Sequence, residues 1–298
     1  MATTGWPITQ LLWRPIDRRH FVHGATVAII LSSLVATATA QAPKLRGLDT
    51  EIPLCNRVGD SPPDTRIRSC TAIIESGAAT PRGLAIAYNN RGNAYTTKGE
   101  YDRAIEDYEA AIKANPNYAR AFNNRGVTYQ KLGQHKLAIE EFNRSIRLDP
   151  RSAPVFANRA ENYGRIGEYR LALRDYGDAI RLEPKLEGAW NGRCWIRAII
   201  GELRSALSDC NESLRLKPSV AATLDSRALT YLKMGQLEAA LSDYNSALQL
   251  NPQLASSLYG RGLIQRRRGN SADGEADIAS AIAILPNIAS EFAQYGVR

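Results

Sequence analysis

The chain has 298 residues, 44% of them hydrophobic and 23% charged, and a formal net charge of +8. A single compact core is near its practical limit at this length. The Lys and Arg residues are interspersed with acids rather than clustered beside aromatic platforms, which argues against a nucleic-acid partner.

Residues 1–40 read as a signal peptide. Arg14, Arg18 and Arg19 precede the apolar run from Ala25 to Val35, and the small residues Ala36 to Ala40 follow. A basic flank, a short apolar stretch and an A-x-A site predict secretory cleavage, placed after Ala40. An uncleaved anchor is the alternative, but a spanning helix needs about 20 apolar residues. The segment from Asp17 to Val22 resembles a twin-arginine export signal, although Asp17 and His23 depart from its pattern, so the general secretory route stays open. The expectation is an exported chain with no stable membrane span after cleavage. Residues 1–40 carry three Arg and one Asp, so the net charge falls from +8 to +6 on their removal.

Residues 41–84 read as a linker and an N-terminal cap. Gln41 to Leu54 shows no periodicity and predicts a flexible tether. The turn formers from Cys55 to Pro63 follow. Asp64 is placed to cap a helix running to about Ser76, with Ile67, Cys70, Ile73 and Ile74 at helical spacing. In an exported chain an even cysteine count favours pairing, so Cys55 and Cys70 are expected to staple the loop to this helix; two separate thiols are the alternative.

From Ala85 the chain repeats itself. Pro116, Pro150, Pro184, Pro218, Pro252 and Pro286 follow one another at steps of 34 residues, as do Gly99, Gly133, Gly167, Gly201, Gly235 and Gly269. The copies span 85–118, 119–152, 153–186, 187–220, 221–254 and 255–288. Position 4 of each is large and apolar (Tyr88, Phe122, Phe156, Trp190, Leu224, Leu258). Position 8 is small, position 20 is small, position 24 is mostly bulky, and position 27 is Ala or Ser. Positions 4, 8 and 11 share one face of a first helix, and 20, 24 and 27 one face of a second. Gly at position 15 suits a left-handed helix end. Each helix pair leaves an apolar face uncovered, so the copies must stack.

This pattern resembles the tetratricopeptide repeat. The resemblance covers residues 85–288 and implies an all-α, right-handed solenoid of six helix-turn-helix repeats. Residues 289–298 would form a C-terminal capping helix with Phe292 at position 4.

Two columns depart from that family's pattern. Position 7 is Arg in every copy (Arg91, Arg125, Arg159, Arg193, Arg227, Arg261), and position 23 is acidic (Asp107, Glu141, Asp175, Asp209, Asp243, Asp277). They predict a structural ladder of ion pairs, because a buried charge without a partner is expensive; a row of arginines gripping an anionic ligand is the alternative. Repeat four carries Cys194 at position 8 and Cys210 at position 24. These predict a bridge between its two helices, with two buried thiols as the alternative.

No catalytic constellation emerges from the residues. His135 is the one histidine beyond residue 40 and is expected to face solvent, so no metal site, cofactor or enzyme activity is predicted. The resemblance implies a binding face formed by first-helix positions 2, 5, 9, 12 and 13. Here it would use Asn89, Asn93, Asn123, Lys131, Arg165, Asn191, Trp195, Lys233, Tyr259, Arg266 and Arg267. Asparagines can hold a peptide backbone, the basic residues would steer an acidic or carboxyl-terminal ligand, and Trp195 and Tyr259 would anchor it. Some family members clamp the terminal carboxylate of heat-shock chaperones. Asn93 and Asn124 match that clamp's asparagines, but Asn89, Pro154 and Asn158 stand where it needs basic residues, so that function does not carry over. The reading is a scaffold or adaptor for a protein or peptide, in the bacterial periplasm. The alternative is a binder of an anionic cell-envelope polymer such as polysaccharide.

Overall fold

The structure is a computed structural model, and it describes residues 48–57 and 61–297. The signal peptide, its cleavage site and the start of the linker lie outside these residues. Among the described residues there are fifteen helices and no strand.

Three helices precede the regular stack or open it: α1 (Glu51–Asn56), α2 (Pro63–Glu75) and α3 (Pro81–Lys98). Then come α4 (Tyr101–Ala114), α5 (Ala119–Lys131), α6 (His135–Leu148), α7 (Ala153–Arg165) and α8 (Tyr169–Leu182). The second half comprises α9 (Glu187–Ile200), α10 (Leu203–Leu216), α11 (Ala221–Lys233), α12 (Leu237–Leu250), α13 (Ala255–Arg267) and α14 (Ser271–Ile284). A short α15 (Ile288–Gln294) closes the chain. The odd-numbered helices α3 to α13 are the first helices of the six repeats, and α4 to α14 are the second. No single described helix is long and apolar enough to cross a membrane.

The turns explain the spacing of these elements. Gly99 and Gly201 end α3 and α9 with φ of 78° and 89°, a region that side chains with a Cβ rarely enter. The second helix then begins two residues later. Within repeats one and two the glycine at position 8 serves close packing instead. A methyl group on Gly92 would lie 2.8 Å from the ring of Tyr108, and one on Gly126 equally close to Phe142. Tyr108, Phe142 and Tyr244 are fully buried at position 24, so these rings form the joint of their layers.

The N-terminal region differs from expectation in three places. The stretch read as a tether contains α1, whose Cys55 and the preceding Leu48 are buried against α2. Asp64 lies in the first turn of α2 and does not cap it; Pro62 holds the N-cap position without a side-chain hydrogen bond. The first repeat helix begins at Pro81 rather than Ala85. Proline suits the first helical position, and Thr80 Oγ1 accepts a hydrogen bond from Gly83 N at 3.1 Å.

Candidate functional site

The arginine and acid columns meet inside each repeat. Arg91 and Asp107 form a two-pronged contact at 2.8 and 2.8 Å. The same geometry recurs at Arg159–Asp175, Arg193–Asp209, Arg227–Asp243 and Arg261–Asp277, while Arg125 places two nitrogens on one oxygen of Glu141. These contacts hold Arg91, Arg227 and Arg261 above the ordinary arginine range. Most of the arginines also reach back to the preceding second helix: Arg91 to Thr71, Arg125 to Glu109, Arg159 to Asn143, Arg227 to Asn211 and Arg261 to Asn245. Arg193 is the exception, because the residue at that point is Gly177. Arg197 donates to Asp209 instead, at 2.6 Å.

The cysteines lie in two bridges. Cys55 joins Cys70 with their Cα atoms 4.9 Å apart, and Cys194 joins Cys210 at 5.4 Å. The first ties α1 to α2; the second replaces the ring-on-glycine contact of repeats one and two. Among the described residues no group of three or more His, Cys, Asp or Glu could hold a metal ion. His135, expected to face solvent, has Nδ1 2.9 Å from Oδ1 of the buried Asn162.

The first-helix face is where the structure departs most from the sequence reading. Its asparagines bond to one another. Asn158 donates to Asn123, Asn123 to Asn124, Asn124 to Asn89, Asn89 to Asn90, and Asn90 to Asn56, at 2.8–3.2 Å. Asn89 is 3% exposed, so its amide serves the stack rather than a peptide backbone. Asn93 Oδ1 accepts from the Tyr108 hydroxyl at 2.8 Å. The chain of amides stops at Ala157, and the buried Oδ1 of Asn191 has no partner.

The expected aromatic anchors are covered by the chain's own C-terminal segment. Tyr295 packs edge-on to Trp195 with ring centroids 5.3 Å apart, and Phe292 packs on Tyr259 at 4.8 Å. Ile288, Phe292 and Val297 are buried in the same cluster. Lys233 is also engaged: its Nζ donates to the last carbonyls of α9, Ala198 at 2.6 Å and Ile199 at 2.9 Å, and burial lowers its pKa. Arg266 lies 3.2 Å from Glu275. What remains accessible is basic. Lys131 and Arg165 are exposed at the ends of α5 and α7, Arg165 with a loose 4.0 Å contact to Glu161, and Arg267 is exposed in the last turn of α13.

The sequence reading passed over Arg66, which is 4% exposed and whose Nε has no hydrogen-bond partner among the described residues. A signal was present: the residues at steps of 34 from it are Glu100, Gln134, Glu168, Glu202, Gln236 and Asn270, none of them basic.

A family model described as TPR repeat matches residues 92–133 and 228–269, and one described as Tetratricopeptide repeat matches residues 119–152. No curated protein matches the chain. Among solved structures, a tetratricopeptide repeat protein from Parabacteroides merdae has a TM-score of 0.64 at 18% identity, covering 86% of this chain and 99% of its own. Pseudomonas aeruginosa pilF has a TM-score of 0.60 at 19% identity, covering 72% of this chain and 100% of its own. YrrB, described as a TPR protein with an unusual peptide-binding site, has a TM-score of 0.52 at 22% identity, covering 65% and 98%. At these identities the likeness is one of fold.

Proposed function

The chain belongs to the tetratricopeptide repeat proteins, and we propose that it works as a non-catalytic scaffold holding a protein or peptide partner against the first-helix face of its stack. The observation that carries this reading is the split along that face. Its asparagines, Lys233 and its aromatics are engaged within the fold, while Lys131 and Arg165 stand exposed at equivalent positions of neighbouring first helices. A partner with acidic side chains suits those two residues, because exposed like charges on adjacent repeats add their fields. We place the protein outside the cytoplasm, in the bacterial periplasm. The N-terminal pattern of Arg14 to Ala40 and the two disulfides support this, since such bridges persist in oxidising compartments.

Affinity capture from the cell-envelope fraction tests the reading, comparing wild type with a Lys131→Glu, Arg165→Glu variant of unchanged helical signal. A protein retained by wild type and lost by the variant is the expected result. Equal recovery by both would remove this face as the binding surface. An envelope polysaccharide released at high ionic strength, with no protein retained, would turn the assignment to the polymer.

A further inference from the structure

Between repeats five and six, α12 and α13 flank a cavity of about 380 Å3. Asn245, Leu248 and Gln249 of α12 line it, with Pro252 from the turn and Leu258 and Arg261 from α13. We infer that this cavity receives an aromatic side chain, the indole of a tryptophan above all, from a partner polypeptide.

The other repeats supply the ring themselves. In repeats one to four position 4 is aromatic, and the ladder arginine three residues on lies over it. Arg91 covers Tyr88, Arg125 covers Phe122, Arg159 covers Phe156 and Arg193 covers Trp190, at 4.9–6.0 Å from the ring centres. In repeat five Arg227 lies 5.8 Å from the ring at position 11, Tyr231. Repeat six has Leu258 at position 4 and Gln265 at position 11, so its first helix gives Arg261 no ring. Trp190 shows how a guest would sit. Its ring centre lies 4.9 Å from the Arg193 guanidinium, and its Nε1 donates to the carbonyl of Pro184 at 2.9 Å. Pro252 holds the place of Pro184 in the repeat and lines the cavity with Arg261.

The walls suit the same guest. Asp277 pairs with Arg261 at 2.7 and 2.8 Å, so the guanidinium offers a positive face and no unmatched charge. Its side chain is 24% exposed and can be reached from outside. Among the lining residues Arg261 alone is charged. The face of an aromatic ring is negative, and this complementarity is strongest for tryptophan. An anion would compete with Asp277, and an aliphatic chain has no negative face to offer. An apolar cavity of about 150 Å3 already admits benzene, so the volume suffices for an indole. The rim favours a polypeptide over a free aromatic molecule. Asn245 Oδ1 accepts from Arg261 Nη1 at 3.1 Å, so Nδ2 is the donor it offers, and the Gln249 amide is exposed. Such amides can hold a peptide backbone. Lys131 and Arg165 lie in other repeats, so this site and the first-helix face can fail separately.

An NMR titration of the full chain with N-acetyltryptophanamide tests this, with N-acetylleucinamide as the aliphatic control. Saturable ring-current shifts at the Arg261 Nε–H and the Gln249 side-chain amide are expected, with binding about tenfold tighter than the leucine amide. The absence of saturable shifts, or equal binding by the leucine amide, would overturn the assignment. Leu258→Trp supplies a second check by filling the cavity from within. It should melt no lower than wild type and should no longer bind the tryptophan amide. A lower melting point would show that the space cannot hold a ring, and unchanged binding would place the ligand elsewhere; either result overturns the site. A capped pentapeptide with tryptophan at its centre then tests the source. Binding tighter than the single capped residue is expected. Equal or weaker binding would overturn the polypeptide and leave the cavity to small aromatic molecules.

Discussion

The first three repeats and the last three join their neighbours by different means. In the first half a chain of neutral amides runs from Asn158 to Asn56, so the asparagines at positions 5 and 6 of the first helices α3, α5 and α7 are paired with one another. In the second half the same row carries a carboxylate. Asp225 on α11 accepts from Ser256 and Ser257 on α13, at 2.8 and 2.6 Å, and faces no cation. Lys233 ties α11 to the end of α9, and the disulfide of Cys194 and Cys210 holds repeat four. The packing at position 24 varies instead with the residue at position 8. Where position 8 is glycine, as at Gly92 and Gly126, the ring at position 24 packs inside its own repeat. Where position 8 is Ala160 or Ala228, Tyr176 and Tyr244 turn outward onto Gly192 and Gly260 of the next repeat. The amide chain carries no charge to titrate, whereas the Asp225 joint depends on pH.

The row common to both halves should give the largest effect. Arg159→Leu leaves Asp175, which is 0% exposed, with only a 3.8 Å contact to Arg174 in place of its two-pronged pair. The expected loss is about 3–5 kcal/mol by urea unfolding, with partner binding unchanged. An unchanged unfolding midpoint would mean that the pairs contribute nothing and that the halves differ more than they share.

Reduction sharpens the contrast next. Cys194 and Cys210 are 16 residues apart, and opening a loop of this size is worth about 3 kcal/mol. Cys194→Ala, Cys210→Ala should lower protection of α9 to α12 in hydrogen exchange and leave α5 to α7 unchanged. Equal loss in both halves would show that the stack unfolds as one unit.

The pH dependence belongs to the second half. Burial raises the Asp225 carboxyl from 3.8 to about 6. The folded chain therefore holds this proton where the unfolded chain has released it. The resulting stabilisation is present below pH 4 and lost as pH rises through 6. Relative to Asp225→Asn, wild type should lose up to about 3 kcal/mol between pH 4 and 7. A pH-independent difference would show that the two serines suffice to hold the charge.

The smallest change is in the amide chain. Asn123→Ala removes one link and leaves Asn124 Oδ1 and Asn158 Nδ2 without partners, at about 1–3 kcal/mol. Asn191→Ala, beyond the end of the chain, should be neutral or stabilising, since its Oδ1 is already unpaired. Equal costs at both sites would erase the distinction between the halves.

Much of this was legible in the residues, and the division between the halves was not. The arginines and acids could be read as two columns because each lies at one phase of the repeat. That an arginine also reaches the preceding second helix depends on how far one helix pair is displaced against the next. The asparagines at positions 5 and 9 looked like ligand-binding groups, since their spacing cannot say whether a neighbouring side chain comes within hydrogen-bond reach. Trp195 and Tyr259 looked like open anchors because Phe292 and Tyr295 are distant in the chain.

The sequence by itself determined the period, the helix pairs and their glycine ends. Those follow from contacts within one repeat, and a local pattern copied six times reports its own geometry. Only the tertiary structure decided which groups are satisfied or covered: the chain of amides, the second contact of each ladder arginine and the shielded tryptophan. Satisfaction of a buried group depends on atoms brought near by stacking, over distances that no periodicity along the chain encodes.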